Sequence, residues 1–202
     1  MKTAIYKITG ISPYSQSRMH ETPKKEKEQP EAYERRTWIE KAHFNEDGNM
    51  FIPPMAFKQA LDETGKRLGK IPGKGMATYT KHFKGGVLII KPIVLTQTRA
   101  DFEAEAQKVI GDNWAIPSTN LSWGGPCNSD GTRGSGKRVF RRFPEVKEWG
   151  GELEILIFDE ILTDKEITKA LKEAGIMVGI GRFRAENGGY YGRFTAELVS
   201  FK

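Results

Sequence analysis

Over residues 2–11 polar and apolar side chains alternate, with Ala4, Tyr6 and Ile8 on one face, which predicts a first strand. The pattern then dissolves. Residues 21–41 carry six acids and six bases, with Pro23 and Pro30 among them, so 12–50 reads as a mobile loop region with a short helical piece at 33–40. Asn45-Glu46-Asp47-Gly48-Asn49 predicts a turn. Pro53-Pro54 suit the start of a helix, and Phe57, Ala60, Leu61, Thr64 and Leu68 recur at helical spacing until Gly69 stops it.

Residues 71–86 form a glycine- and lysine-rich loop, and the β-branched run 87–95 predicts a strand. From 96 to 137 the pattern is irregular, apart from a strand expected at 106–110; a strand at 139–143 returns to the core. The last third has the strongest pattern. Leu153, Ile155 and Ile157 alternate inward on a strand, and Thr163 with Glu166 has the spacing of a capping box. Ile167, Ala170, Leu171 and Ala174 make a helical stripe that Gly175 ends. A glycine-rich stretch, 179–194, and a final strand to 201 follow.

The order is β-α-β-β-α-β. It predicts an α+β, ferredoxin-like (RRM-like) palm with a long inserted thumb between the second and third core strands. The chain reads as a single domain, 1–202, with 96–147 as the thumb-like subdomain.

Composition narrows the function classes. No apolar run approaches the roughly 18 residues needed to span a bilayer, and the amino-terminal pattern is not that of a signal peptide. Cys127 is the single cysteine, so no intrachain disulfide forms and no thiolate zinc site of the usual kind is expected. The expectation is a cytoplasmic protein with no cofactor, no metal and no membrane partner.

Charge is segregated. The chain has net charge +6. Between 64 and 100 there is no acid, against Lys66, Arg67, Lys70, Lys74, Lys81, Lys84, Lys91 and Arg99. A second basic block holds Arg133, Lys137, Arg138, Arg141, Arg142 and Lys147, whereas 148–175 has eight acids against three lysines. A basic face attracts phosphate backbones by releasing condensed counterions.

The candidate chemistry concentrates at 179–194. Gly179, Gly181, Gly188, Gly189 and Gly192 sit among Arg182, Arg184 and Arg193. Glycines expose backbone N–H groups, which with guanidinium groups make an anion-binding surface. Tyr190, Tyr191 and Trp123 are candidates for stacking on bases. Lys137, Arg138, Arg141 and Arg142 are further phosphate contacts, and the polar segment 13–20 offers Arg18 and His20.

Two decoys point toward an NTPase. The run 131–138 nearly matches a phosphate loop, and 155–160 nearly matches an acidic magnesium-binding strand. Arg138 stands where Ser or Thr must hold the metal, and no apolar strand precedes Gly131. Gly179-Ile-Gly181 lies too near the C-terminus for a dinucleotide fold.

The segments Gly-Ile-Gly-Arg-Phe-Arg (179–184) and Gly-Gly-Tyr-Tyr-Gly-Arg-Phe (188–194), after a helix and before the last strand, resemble the glycine-rich loop of the RAMP superfamily of CRISPR-associated proteins. The chain looks most like the backbone subunit that coats guide RNA, and is similar to small phage-encoded proteins of this length. Residues 51–61 and 141–149 resemble the segments before the family's first helix and third strand. The resemblance implies a palm, a thumb and head-to-tail assembly as a homo-oligomer or filament along single-stranded RNA or DNA, with CRISPR subunits as further partners. If the chain is phage-encoded, its place is the bacterial host cytoplasm.

The leading expectation is a non-catalytic single-strand binder. Two alternatives stay open. One is a metal-free RAMP-type endoribonuclease, for which His20, His43 and His82 are the histidine candidates and Asp47 a loop aspartate. The other is a phage protein that binds or mimics a CRISPR complex.

Overall fold

The structure is a computed structural model, described for residues 1–109, 111–128 and 137–202. In chain order its elements are β1 (Lys2–Gly10), β2 (Tyr14–Ser15), α1 (Pro30–Thr37), β3 (Asn49–Ile52), α2 (Pro54–Arg67), α3 (Thr80–Gly86) and β4 (Val87–Leu88). Then come β5 (Ile93–Thr98), α4 (Arg99–Lys108), β6 (Ser122–Asn128), β7 (Arg138–Val146), β8 (Gly150–Ile157), α5 (Asp164–Glu173) and β9 (Phe194–Phe201). The fold class is α+β. Two compact units divide the chain. The first is Met1–Tyr14, Phe51–Leu95 and Glu148–Lys202; the second is Ser15–Met50 and Thr96–Lys147.

The first unit is built on a four-stranded sheet of order β4-β8-β1-β9. All three pairings are antiparallel, and β1 matches β8 from Lys2↔Ile157 to Thr9↔Gly150. The alternation in β1 and β8 does what its period demands: Ala4, Tyr6, Ile8, Leu153, Ile155 and Ile157 are buried together. Phe57, Ala60 and Leu61 of α2 and Ile167, Ala170 and Leu171 of α5 are buried as well, and both helices pack on this unit's core. Each of the Phe, Ile and Leu side chains among them contributes about 1.5–3 kcal/mol by leaving water. The opposite sheet face is open and mixed. It presents Ile5, Lys7, Thr9, Glu152, Glu154 and Glu197. In β9 the register slips, so that Ile5 faces Ser200 while Tyr6 faces Leu198; Val199 is the extra residue of a bulge.

In the second unit β2, β7 and β6 form a three-stranded sheet, with α1 and a short 3-10 helix (Trp38–Lys41) packed on β7. Phe102 of α4 is fully buried, with Trp38 and Phe44 edge-on at ring-centroid distances of 6.4 and 5.7 Å. The strands β3 and β5 pair as a ribbon.

Five local expectations are corrected. The strand expected over 87–95 is two strands in different sheets, β4 and β5, interrupted at Lys91-Pro92, where proline removes a ladder donor. The strand expected at 106–110 is the end of helix α4; Thr98 and Asp101 cap it reciprocally, with Asp101 Oδ2 accepting from the Thr98 N–H at 2.7 Å. The capping box expected at Thr163 does not form: the Thr163 hydroxyl bonds the Glu166 carboxylate instead of accepting from the backbone. The 139–143 strand belongs to β7, which pairs with β6 rather than with the four-stranded sheet. Helix α5 also runs past Gly175 into a π-turn, Ala174–Val178, that ends at Gly179.

Among the described residues no helix is long and apolar enough to cross a membrane, and no group of His, Cys, Asp and Glu is placed to hold a metal ion.

Candidate nucleic-acid interface

The glycine-rich segment forms a strap folded on itself between the π-turn and β9. Its backbone donors are largely consumed inside the molecule. Gly179 N–H donates to Ala174 O (2.7 Å), Ile180 to Gly192 O (3.0 Å), Gly188 to Ala185 O (2.9 Å), Gly189 to Arg184 O (3.1 Å), Tyr191 to Phe183 O (3.3 Å) and Gly192 to Pro13 O (2.8 Å). The expectation that glycine amides line an anion site is therefore corrected at Gly179, Gly188, Gly189 and Gly192. Here glycine serves close backbone approach: a Cβ on Gly192 falls 1.8 Å from Ile180 O, and one on Gly189 falls 1.8 Å from Phe183 O. Gly181, with φ 81°, shares the left-handed conformation of this strap.

The strap presents side chains instead. Tyr190 is 59% exposed and Phe183 47% exposed. Phe183 holds φ 44°, which is rare for an aromatic residue and marks a conformation enforced by its surroundings. Tyr191 is buried, so Tyr190 and Phe183 are the exposed rings of the strap. Arg182 is half-buried, its guanidinium 4.9 Å from the centre of the Tyr191 ring. The Arg184 guanidinium bonds Glu186 through Nε and Nη2 (3.1 and 2.9 Å), and Arg67 reaches the same carboxylate at 3.5 Å. Two guanidinium groups on one carboxylate leave net positive charge. Arg193 donates from Nε to Ile176 O at 3.1 Å, and its backbone N–H donates to Ser12 Oγ.

The first unit holds two further features whose geometry the sequence does not show. One is a basic hairpin closed by the Lys70↔Thr78 bridge, with Lys74 and Met76 near its tip and Met76 77% exposed. The other is an oriented imidazole: His82 Nδ1 lies 2.6 Å from Asp159 Oδ2, and Asp159 Oδ1 accepts from Ile161 N–H. Burial works against the Asp159 charge, yet these bonds hold its carboxyl below the ordinary value. Asp159 is thus engaged by an imidazole rather than set out as a magnesium ligand.

In the second unit Lys137 and Arg138 are exposed at the start of β7. They open a strand, where a phosphate loop leads into a helix; residues 131–136 of that decoy, Arg133 included, lie outside the described residues. In the β6–β7 register Gly125 faces Arg141 and Trp123 faces Phe143. A Cβ on Gly125 would meet the Trp123 ring at 2.6 Å, so the indole lies over that glycine on the strand face that carries Arg141. This joins a stacking surface to a cation.

Arg142 does not belong to that surface. It is fully buried, and its guanidinium donates to Ser122 Oγ (2.7 Å), Trp114 O (2.8 Å) and Ile116 O (2.7 Å). Burial pushes its pKa down, with the Glu105 carboxylate opposing that shift. The expectation of a phosphate contact at Arg142 is corrected; adjacent strand residues point to opposite faces, and Arg141 is half-buried on the other one. Arg18 is half-buried and paired with Glu21.

His20 is built into the second unit. Thr37 donates its hydroxyl to Tyr33 O at 2.7 Å, so at the 2.7 Å contact with His20 Nδ1 the imidazole is the donor. Its ring packs 5.0 Å from Tyr33. Burial and the Lys41 ammonium lower the His20 pKa against the opposing Glu34 and Glu40 carboxylates; burial and Arg18 lower that of His43. A histidine with a depressed folded pKa binds fewer protons folded than unfolded, so stability falls as pH drops below the ordinary value of 6.5 toward the folded values. Urea midpoints are expected to decline between pH 7 and 5.5, with a shallower decline in His20→Asn/His43→Asn; a midpoint that rises toward acid contradicts this.

No protein-family model matches the chain, and no curated protein matches it.

Proposed function

We propose that the chain is a non-catalytic single-stranded nucleic-acid-binding protein with a ferredoxin-like, RAMP-type palm. The sheet order β4-β8-β1-β9, with α2 after the first strand and α5 between the third and fourth, supports the palm reading. The single observation that carries the function is the strap. A rigid glycine-built loop holds two exposed aromatic rings, Phe183 and Tyr190, beside Arg182, Arg184 and Arg193. Aromatic faces stack on unpaired bases without regard to sequence, and guanidinium groups follow the backbone. The open sheet face does not suit this task, because it carries Glu152, Glu154 and Glu197. Trp123 with Arg141, and the exposed Lys137 and Arg138, provide contacts of the same type on the second unit. RNA and DNA are both candidate ligands, and head-to-tail assembly along the strand is part of the proposal.

Fluorescence anisotropy with labelled U20 RNA and dT20 across a potassium chloride series tests it. Affinity is expected to fall steeply with salt. Tyr190→Ala is expected to weaken binding about 5- to 100-fold, the worth of roughly 1–3 kcal/mol per stacked base. Negligible affinity at low salt, or binding indifferent to salt, would overturn the proposal.

A second reading, a metal-free ribonuclease, is favoured by the His82–Asp159 pair, because a carboxylate on Nδ1 keeps the proton there and leaves Nε2 as the basic nitrogen. Cleavage of labelled RNA in EDTA that His82→Ala abolishes would favour it; intact RNA excludes it.

A further inference from the structure

The surface of the first unit holds a groove along α5 that the strap does not account for. Lys165, Thr168, Lys169 and Lys172 line its length, and Ile176 and Met177 from the π-turn line its carboxy-terminal end. At 3.6 residues per turn, positions 165, 169 and 172 fall within about 60° of one another around the helix axis and within roughly 10 Å along it. The three lysines thus make a single row. None of them enters an ion pair among the described residues, whereas Lys58, Lys66, Lys91 and Lys108 each do. The carboxylates of Asp164 and Glu173 lie at the two ends of the row.

The apolar end of the groove is unusual for a charged surface. Ile176 is 56% exposed and Met177 53% exposed, on the exit of a helix whose other face supplies core residues. The π-turn is the cause: its wider backbone ring carries the chain past Gly175, which is pressed against Phe194 O, and turns the next two side chains outward. Arg193 places its guanidinium on Ile176 O, adding a fourth cation at the apolar end. Thr168 is fixed by the Tyr6 hydroxyl at 2.8 Å, so the floor of the groove is tied to the sheet.

We propose that this groove is a second track for the same nucleic-acid strand. Phosphates lie along Lys165, Lys169 and Lys172, and a base rests on Ile176 and Met177. A row of unpaired cations beside a small apolar shelf matches the alternation of charge and flat apolar surface in an unpaired polynucleotide. Arg193 joins the groove to the strap, since its main chain belongs to one and its guanidinium to the other. The inference rests on the single-strand reading above and extends the footprint from the strap onto α5.

The test compares wild type, the triple variant Lys165→Ala/Lys169→Ala/Lys172→Ala and Tyr190→Ala, each checked by far-UV circular dichroism; alanine keeps the helix favourable. The logarithm of affinity for U20 RNA against the logarithm of salt concentration is expected to lose about 2 in slope in the triple variant, three contacts at roughly 0.7 each for single strands. Tyr190→Ala is expected to weaken binding with little change in slope. In methyl-labelled protein the Met177 resonance, assigned through Met177→Leu, is expected to shift on adding U20. If wild type binds U20 and the triple variant keeps the full slope, the second track is overturned while the single-strand reading stands. If wild type does not bind at all, both fall. If Met177 shifts with a Glu/Leu-rich acidic peptide and not with U20, the groove belongs to a protein partner and the proposal is overturned.

Discussion

Gly192→Ala is expected to destabilise the first unit by on the order of 4 kcal/mol and to remove with it the single-strand binding proposed above. Two costs combine. At φ 72° an L side chain is disfavoured by about 1–2 kcal/mol. The new methyl would also stand 1.8 Å from Ile180 O, inside the hydrogen bond that Ile180 N–H makes to Gly192 O. The strap has to open to admit it, which frees the segment that carries Phe183 and Tyr190. Gly69→Ala separates the two terms: its φ is 75°, but nothing lies within 4 Å of the added carbon, so only about 1–2 kcal/mol is expected. Thermal melts read the difference; equal losses at the two positions would show that the strap is not held by its backbone crossing.

In the second unit the largest expected loss comes from Glu34→Ala, about 3–5 kcal/mol. Glu34 and Lys41 are both buried and form an ion pair. They also hold the two main-chain polar groups of Arg142: its N–H donates to Glu34 Oε1 at 3.1 Å, and its carbonyl accepts from Lys41 Nζ at 2.8 Å. Removing the carboxylate leaves a buried ammonium without its counter-charge and a strand N–H without an acceptor. Glu34→Leu/Lys41→Met is expected to recover part of the loss, because an apolar pair has no charge to desolvate, but not all of it, because Arg142 still lacks its two partners. Urea denaturation measures both; a double variant less stable than Glu34→Ala would rule out the buried charge as the source of the loss.

How legible these features are in the sequence depends on how local their causes are. The strands β1 and β8 and the helix α5 follow from period alone, since one face of each is apolar and the other polar. Helix α4 has little apolar stripe to read: Phe102 and Glu105 are its buried residues, and its start is set by the Thr98–Asp101 cap. Strand β6 contains Gly124, Gly125 and Pro126, residues that argue against a strand, and is a strand because Trp123 lies over Gly125 and Phe140 against Gly124. The Phe140 contact is not visible before β7 is in place. The interface follows the same rule. The strap was legible as a cluster of Gly, Arg and Tyr, but the use of its glycines was not, because their hydrogen-bond partners include Pro13 and Ala174. Arg141 and Arg142 are adjacent and chemically identical; which of them turns inward is decided by the carbonyls of Trp114 and Ile116. Phe183 was visible only as a hydrophobic letter between two arginines, and its left-handed backbone is a property of the folded strap.

The slip in β9 sets a condition on any assembly. β9 is an edge strand of its sheet, eight residues long, and an edge of that length ordinarily invites another strand to extend the ladder. With Val199 bulged and Glu197 exposed, the donors and acceptors along that border fall out of step with a straight neighbour. A strand of a second copy is therefore not expected to extend the ladder at β9, and any contact made at this border falls to side chains.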